Sequence, residues 1–178
     1  MESIESNHLV FLDESGCNLA MNRAYGRSPK GTRVQDKVPN KGENITIIGT
    51  MNLSGMHQAM IFPGGTDRHA FEAFLTNFLI PNWDKNFILV MDNLMVHRMN
   101  YFKKMFEKFG IKHLFLPPYS PDLNPIEGMW SKVKTLLRSS KARTYHSLQR
   151  AIGDALAKVT PSDARGWFAR CGYKSVST

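Results

Sequence analysis

Between Leu116 and Glu127 the chain reads Leu-Pro-Pro-Tyr-Ser-Pro-Asp-Leu-Asn-Pro-Ile-Glu, with four prolines in nine residues. Proline has no N–H to donate and restricts the residue before it, so neither a helix nor a strand can run through this block. It is a stiff, shaped loop, and regular structure must begin and end at its edges. Downstream, Asn124 can cap a helix and Pro125 suits its first position. Ile126, Met129, Trp130, Val133, Leu136 and Leu137 then form one apolar stripe, which predicts a helix over about 125–139. Glu127 is thereby delivered at the mouth of a helix by a rigid connection.

Upstream of the block, Lys112–Leu116 reads as a short strand. Phe87–Met91 is an unbroken apolar run, the pattern of a central strand covered on both faces. His-Leu-Val-Phe-Leu-Asp at 8–13 reads as another buried strand, ending in an acid. Residues 44–62 read as a hairpin turning near Asn52–Gly55. Phe71, Phe74, Leu75, Phe78 and Leu79 follow helical spacing, so a helix is predicted over 67–80, capped by Thr66 and ended by Pro81. A second helix is expected at 98–109, with Phe102, Met105, Phe106 and Phe109 inward. Two more follow near 145–159 and 161–170. Residues 19–42 are polar, basic and rich in glycine and proline, and read as loop. The order is three strands, helix, strand, helix, strand, then helices. It predicts an α/β fold, a mixed sheet with helices on its faces, in one domain over 1–178.

Three acids stand at element ends in this plan. Asp13 closes the first strand, Asp92 closes the central one, and Glu127 opens a helix. If the two strands pair in parallel, Asp13 and Asp92 lie side by side at their carboxyl ends. Three converging carboxylates repel one another, and a divalent cation relieves that repulsion. An all-oxygen set suits Mg²⁺ or Mn²⁺, and two ions about 3.5–4 Å apart can activate a nucleophile and stabilise a leaving oxygen. Each acid also has a plainer role. Glu127, three residues after Asn124, could complete a capping arrangement; Asp92-Asn93 could be a strand-end turn; Asp13 and Glu14 could be a solvated pair. Position alone leaves both readings standing.

Charge adds a partner. The net charge is +8, and residues 130–178 carry all of it, with ten basic side chains against Asp154 and Asp163. A second basic cluster comprises Arg23, Arg27, Lys30, Arg33, Lys37 and Lys41, and reads either as a DNA-contacting loop or as a dimer contact. Clustered positive charge draws a polyanion by releasing its counterions. No apolar run approaches the roughly 18–20 residues of a membrane span, and the first residues lack a signal-peptide pattern, so a cytoplasmic location is expected. Cys17 and Cys171 stand far apart and read as two buried free thiols rather than a disulfide or zinc site.

Three segments carry a resemblance. Phe-Leu-Asp-Glu-Ser-Gly (11–16), Val-Met-Asp-Asn-Leu-Met-Val-His (90–97) and the proline block through Glu127 resemble the signature blocks of DDE-superfamily transposases. They are nearest to insertion-sequence transposases of the mariner-like superfamily. Thirty-four residues separate Asp92 from Glu127, and Trp130 follows the glutamate by three, both as in that group. The resemblance implies a ribonuclease-H-like fold with a five-stranded mixed sheet. It also implies a Mg²⁺-dependent (or Mn²⁺-dependent) nuclease and strand transferase with two ions per site. Its catalytic and metal-binding acids map onto Asp13, Asp92 and Glu127. Asn93 and His97 fall on accompanying positions, as site neighbours rather than ligands, although His97 could equally be a hydrogen-bonded loop histidine. Lys132, Lys134, Arg138 and Arg143 would hold DNA phosphates.

The implied partners are double-stranded DNA, as transposon ends and a TA target, and a second copy of the chain. A bacterial host would place the protein at the nucleoid. The helix-turn-helix modules of such transposases are expected to be missing from this chain. Two alternatives stay open: a fragment that binds DNA or a partner and inhibits transposition, and another ribonuclease-H-like nuclease.

Overall fold

The computed structural model describes residues 5–21, 27–33, 42, 44–92 and 96–173, with the side chains of 96–100 outside that description. Five strands form one sheet in the order β3-β2-β1-β4-β5: β1 Leu9–Cys17, β2 Ile45–Asn52, β3 Gly55–Pro63, β4 Ile88–Met91 and β5 Lys112–Phe115. The first three run antiparallel, while β1–β4 and β4–β5 are parallel, so the sheet is mixed as expected. Among the described residues the α-helices are α1 Arg68–Phe74, α2 Val96–Phe109, α3 Ile126–Ser140, α4 Tyr145–Ala157 and α5 Pro161–Arg170.

Alternation along β1 divides the core in two. Leu9 and Phe11 belong to the cluster beneath α3, α4 and α5, while Val10 and Leu12 belong to the cluster beneath α1 and α2. Successive side chains of a strand leave on opposite faces, so one strand supplies both cores. Asp13 follows the parity of Phe11 and therefore stands on the α3 face. Phe11 is fully buried and meets the rings of Phe168 and Tyr173 edge-on, each at 5.3 Å between centroids. Such edge-to-face contacts add to the burial of the rings.

Six expectations are corrected. The first strand does not stop at Asp13 but runs to Cys17, because β2 continues to pair with it there. Only its parallel pairing with β4 ends, at Leu12–Met91. Asp67, not Thr66, caps α1, its carboxylate accepting from the Ala70 N–H at 2.8 Å. The segment continues past α1 as a π-helical turn, Leu75–Leu79, and finishes in a tight turn over Ile80–Asn82 that holds Pro81. Phe109, expected inward, is 42% exposed at the end of α2. Cys171 is only half-buried, although Cys17 is buried and both thiols are free. Finally, α3 starts with Pro125 at its cap position and no side-chain cap bond. The Asn124 carbonyl, rather than its side chain, accepts from the Glu127 N–H.

The last two helices carry strong start signals. Thr144 and Ser147 form a reciprocal capping box on α4, and Thr160 and Asp163 form one on α5. No helix among the described residues is long and apolar enough to cross a membrane.

Candidate active site

Because β1 and β4 run parallel with Leu12 opposite Met91, their next residues, Asp13 and Asp92, emerge side by side. The Leu116 N–H donates to the Met91 carbonyl at 2.8 Å, which ties the start of the proline loop to the same strand end. The loop is gripped again at its far end. Asn124, Pro125 and Ile126 are buried, and the Tyr173 hydroxyl donates to the Leu123 carbonyl at 2.8 Å. Glu127 follows this anchor, exposed, in the first turn of α3.

The charges of Glu127 and Asp92 both act on Asp13. The Asp13 carboxyl is pushed up to about 7, first by burial, then by the charges of Glu127 and Asp92. A hydrogen bond from Trp130 and the positive charge of Lys134 pull the other way. Such an elevation marks negative charge without enough compensation. The absence of a capping bond at α3 removes the plainer role suggested for Glu127. Among the described residues, no three His, Cys, Asp or Glu side chains form a ready-made metal cluster. The acids are thus coupled through charge without closing around a single point.

Asp13 is held from two sides. Its Oδ1 accepts from the Glu14 N–H at 2.7 Å, and its Oδ2 accepts from the Trp130 indole N–H at 3.1 Å. Trp130 reaches it across β2, where Gly49 is the residue paired with Asp13. A Cβ on Gly49 would lie 2.8 Å from Cη2 of Trp130, so the bare glycine is the slot through which the ring passes. Gly49→Ala is therefore expected to cost about 1–3 kcal/mol by overpacking. A melting temperature unchanged from wild type would contradict this account.

The predicted phosphate-binding residues divide. Lys134 stands where its charge acts on both Asp13 and Cys17. Lys132 is instead ion-paired with Asp163, which ties α3 to α5. That contact, with the hydrogen bonds from Thr160, draws the Asp163 carboxyl down to about 2. Arg138 and Arg143 are half-buried, in the last turn of α3 and just beyond it. Asn93 and the side chain of His97 lie outside the described residues, as do Arg23, Lys37 and Lys41 of the second basic cluster. Arg27, Lys30 and Arg33 are exposed. Sequence reasoning did not find the pairing of Trp130 with Asp13 or the need for Gly49. A lone glycine inside the apolar run Ile45–Met51 was the available signal.

Residues 8–149 match the family model described as DDE superfamily endonuclease. Tcb2 transposase of Caenorhabditis briggsae is 30% identical over 149 residues, covering 77% of this chain and 54% of that protein. The chain thus spans about half the length of the curated relatives it matches. Among solved structures, the Mos1 strand transfer complex aligns with a TM-score of 0.74 at 17% identity, over 94% of this chain and 52% of that one. The mariner Mos1 paired-end complex with Mg aligns with a TM-score of 0.68 at 15% identity, over 96% and 57%. The fold is ribonuclease-H-like.

Proposed function

The chain belongs to the DDE superfamily endonucleases, and from that membership we propose that it is the catalytic domain of a DNA transposase, with Asp13, Asp92 and Glu127 as its metal-binding acids. The observation that carries this reading is the Asp13 carboxyl, raised to about 7 by burial beside two further carboxylates. The donor set fits hard cations, being all carboxylate, and its uncompensated charge is what a cation relieves. Two Mg²⁺ or Mn²⁺ ions bound there would supply the Lewis acidity that activates a hydroxyl nucleophile and steadies the leaving oxygen of a phosphodiester.

The chain's own residues set the conditions for that chemistry. Trp130 and the Glu14 N–H fix the plane of the Asp13 carboxylate, and each oxygen keeps acceptor capacity for a ligand. Lys134 brings a positive charge beside the acids, where it can hold a phosphate that would otherwise meet three carboxylates. Arg138 and Arg143 extend the basic surface of the C-terminal third. Lys132 contributes less than its charge suggests, since Asp163 already neutralises it. Asn93 and His97 are assigned as neighbours of the site on their motif alone. The substrates would be double-stranded transposon ends and a target, TA by the family resemblance. Joining two ends calls for two copies of the chain on DNA.

The test is calorimetric titration of Mn²⁺ into wild type and Asp92→Asn, with and without a nicked duplex. Saturable binding is expected in wild type, weakened at least 10- to 100-fold in the variant, about the scale of losing a supporting contact at a metal. Binding should tighten with DNA, because such ions are commonly completed by substrate phosphates. A folded wild type that takes up no Mn²⁺ even on DNA sinks the proposal.

A further inference from the structure

We propose that Tyr119 and the proline-walled cavity beside it form a subsite for one unstacked nucleobase, next to the phosphodiester at the acids; this rests on the DNA reading above. A cavity of about 420 Å³ lies between the ends of β4 and α3. Leu116, Pro117, Pro118 and Pro121 give it apolar walls, while Asp92 and Glu127 stand at its acidic edge. A group bound here therefore sits against the two acids and against flat, uncharged surfaces at once.

Two independent observations point to a base as the occupant. The first is Tyr119, a residue 102% exposed with a φ of 57°. The left-handed region is uncommon for a residue with a side chain, and such conformations gather at ligand-binding sites. The loop that presents the ring is stiff, with three prolines around it and a Ser120 Oγ–H bond to the Pro118 carbonyl at 3.3 Å. Little ordering remains to oppose stacking on a ring already held out.

The second is Asn124, which lines the same cavity and is only 6% exposed. Its side-chain amide makes no hydrogen bond to any described residue, although the backbone on both sides of it is anchored. An amide that lines the cavity presents a donor and an acceptor to it, and the edge of a base offers both in return. A phosphate finds no partner on the apolar walls of Leu116, Pro117, Pro118 and Pro121. An uncharged planar ring packs against those walls instead.

Binding would be read by fluorescence anisotropy in Ca²⁺, using a duplex with one bulged base and its fully paired counterpart. Wild type is expected to favour the bulged duplex by roughly ten- to a hundredfold, the scale of one base–aromatic stack. Tyr119→Phe should keep that preference and Tyr119→Ala should lose it, with affinity for paired DNA unchanged. Tyr119→Gly should lose it too while melting no lower than wild type, because glycine accepts the left-handed backbone freely. Equal binding of both duplexes by wild type, or a preference surviving in Tyr119→Ala, overturns the subsite and leaves the DNA reading intact. Failure to bind either duplex overturns both.

Discussion

Asp13→Asn is expected to abolish DNA cleavage and, at pH 8 without metal, to make the protein melt higher than wild type. The first effect follows from removing one acid of the proposed cation site, and a loss of at least ~10²- to 10³-fold matches the removal of one transition-state charge contact. The second follows from the position of the carboxyl pKa. In the unfolded chain it is near 3.8, and in the fold it rises to about 7. Below about pH 4 the group is protonated in both states and favours neither. Between the two values the unfolded chain has released its proton while the fold retains it, so stability falls as pH rises. Above about 7 the penalty is constant, and the shift corresponds to at most about 4 kcal/mol.

Asparagine removes that charge but cannot accept at both positions now facing donors, Glu14 N–H and Trp130 N–H. One lost hydrogen bond returns about 1 kcal/mol. The balance predicts a gain of roughly 5–10 °C by thermal melting in EDTA at pH 8. At pH 4 the difference should vanish or change sign, and added Mn²⁺ should stabilise wild type alone. A variant that melts no higher than wild type at pH 8 would show that the Asp13 charge is already compensated within the chain.

Phe11→Ala is expected to cost about 3–5 kcal/mol, the usual range for a fully buried phenylalanine. That is a large part of the roughly 5–15 kcal/mol holding a domain together, and corresponds to a melting temperature lower by about 10–15 °C. Phe11 is completely buried, and its ring fills the space between Phe168 and Tyr173. The vacated volume cannot close easily, because α5 is fixed by the Thr160–Asp163 capping box and by the Lys132–Asp163 ion pair. Phe11 also shares its face of β1 with Asp13, and Tyr173 supports the proline loop at Leu123. The substitution should therefore weaken Mn²⁺ binding as well. Leu12→Ala, which empties the opposite core, should lower stability with less effect on metal. Equal metal affinity in Phe11→Ala and wild type would break the proposed link between this core and the site.

Most of this architecture was legible because it rests on periodicity and on proline. The hairpin turn, the central strand and the helix after Pro125 follow from local pattern, the element order pointed to a mixed sheet, and the three acids were singled out by the family blocks. What escaped depended on partners distant in sequence. β1 runs on to Cys17 because β2 pairs with it, and 8–13 alone contains no trace of that. Thr66 and Asp67 are both acceptable caps, and only the path of the chain chooses the aspartate. Lys132 and Lys134 looked alike as basic residues two apart on α3. They separate because one side of the helix meets α5 and the other meets Asp13. The bond from Trp130 to Asp13 spans 117 positions and depends on a glycine in a third segment, so no local window contains it.

That glycine also constrains the history open to this protein. Gly49, Trp130 and Asp13 interlock, so a larger residue at 49 becomes tolerable only after the tryptophan has shrunk. A smaller residue at 130 in turn leaves the aspartate without its indole donor. A larger residue at 49 is thus costly while Trp130 is present and tolerated once it has shrunk, whereas any change at 130 still costs Asp13 its donor, so the two positions are coupled. Lineages sharing this arrangement should change positions 49 and 130 jointly or leave both alone.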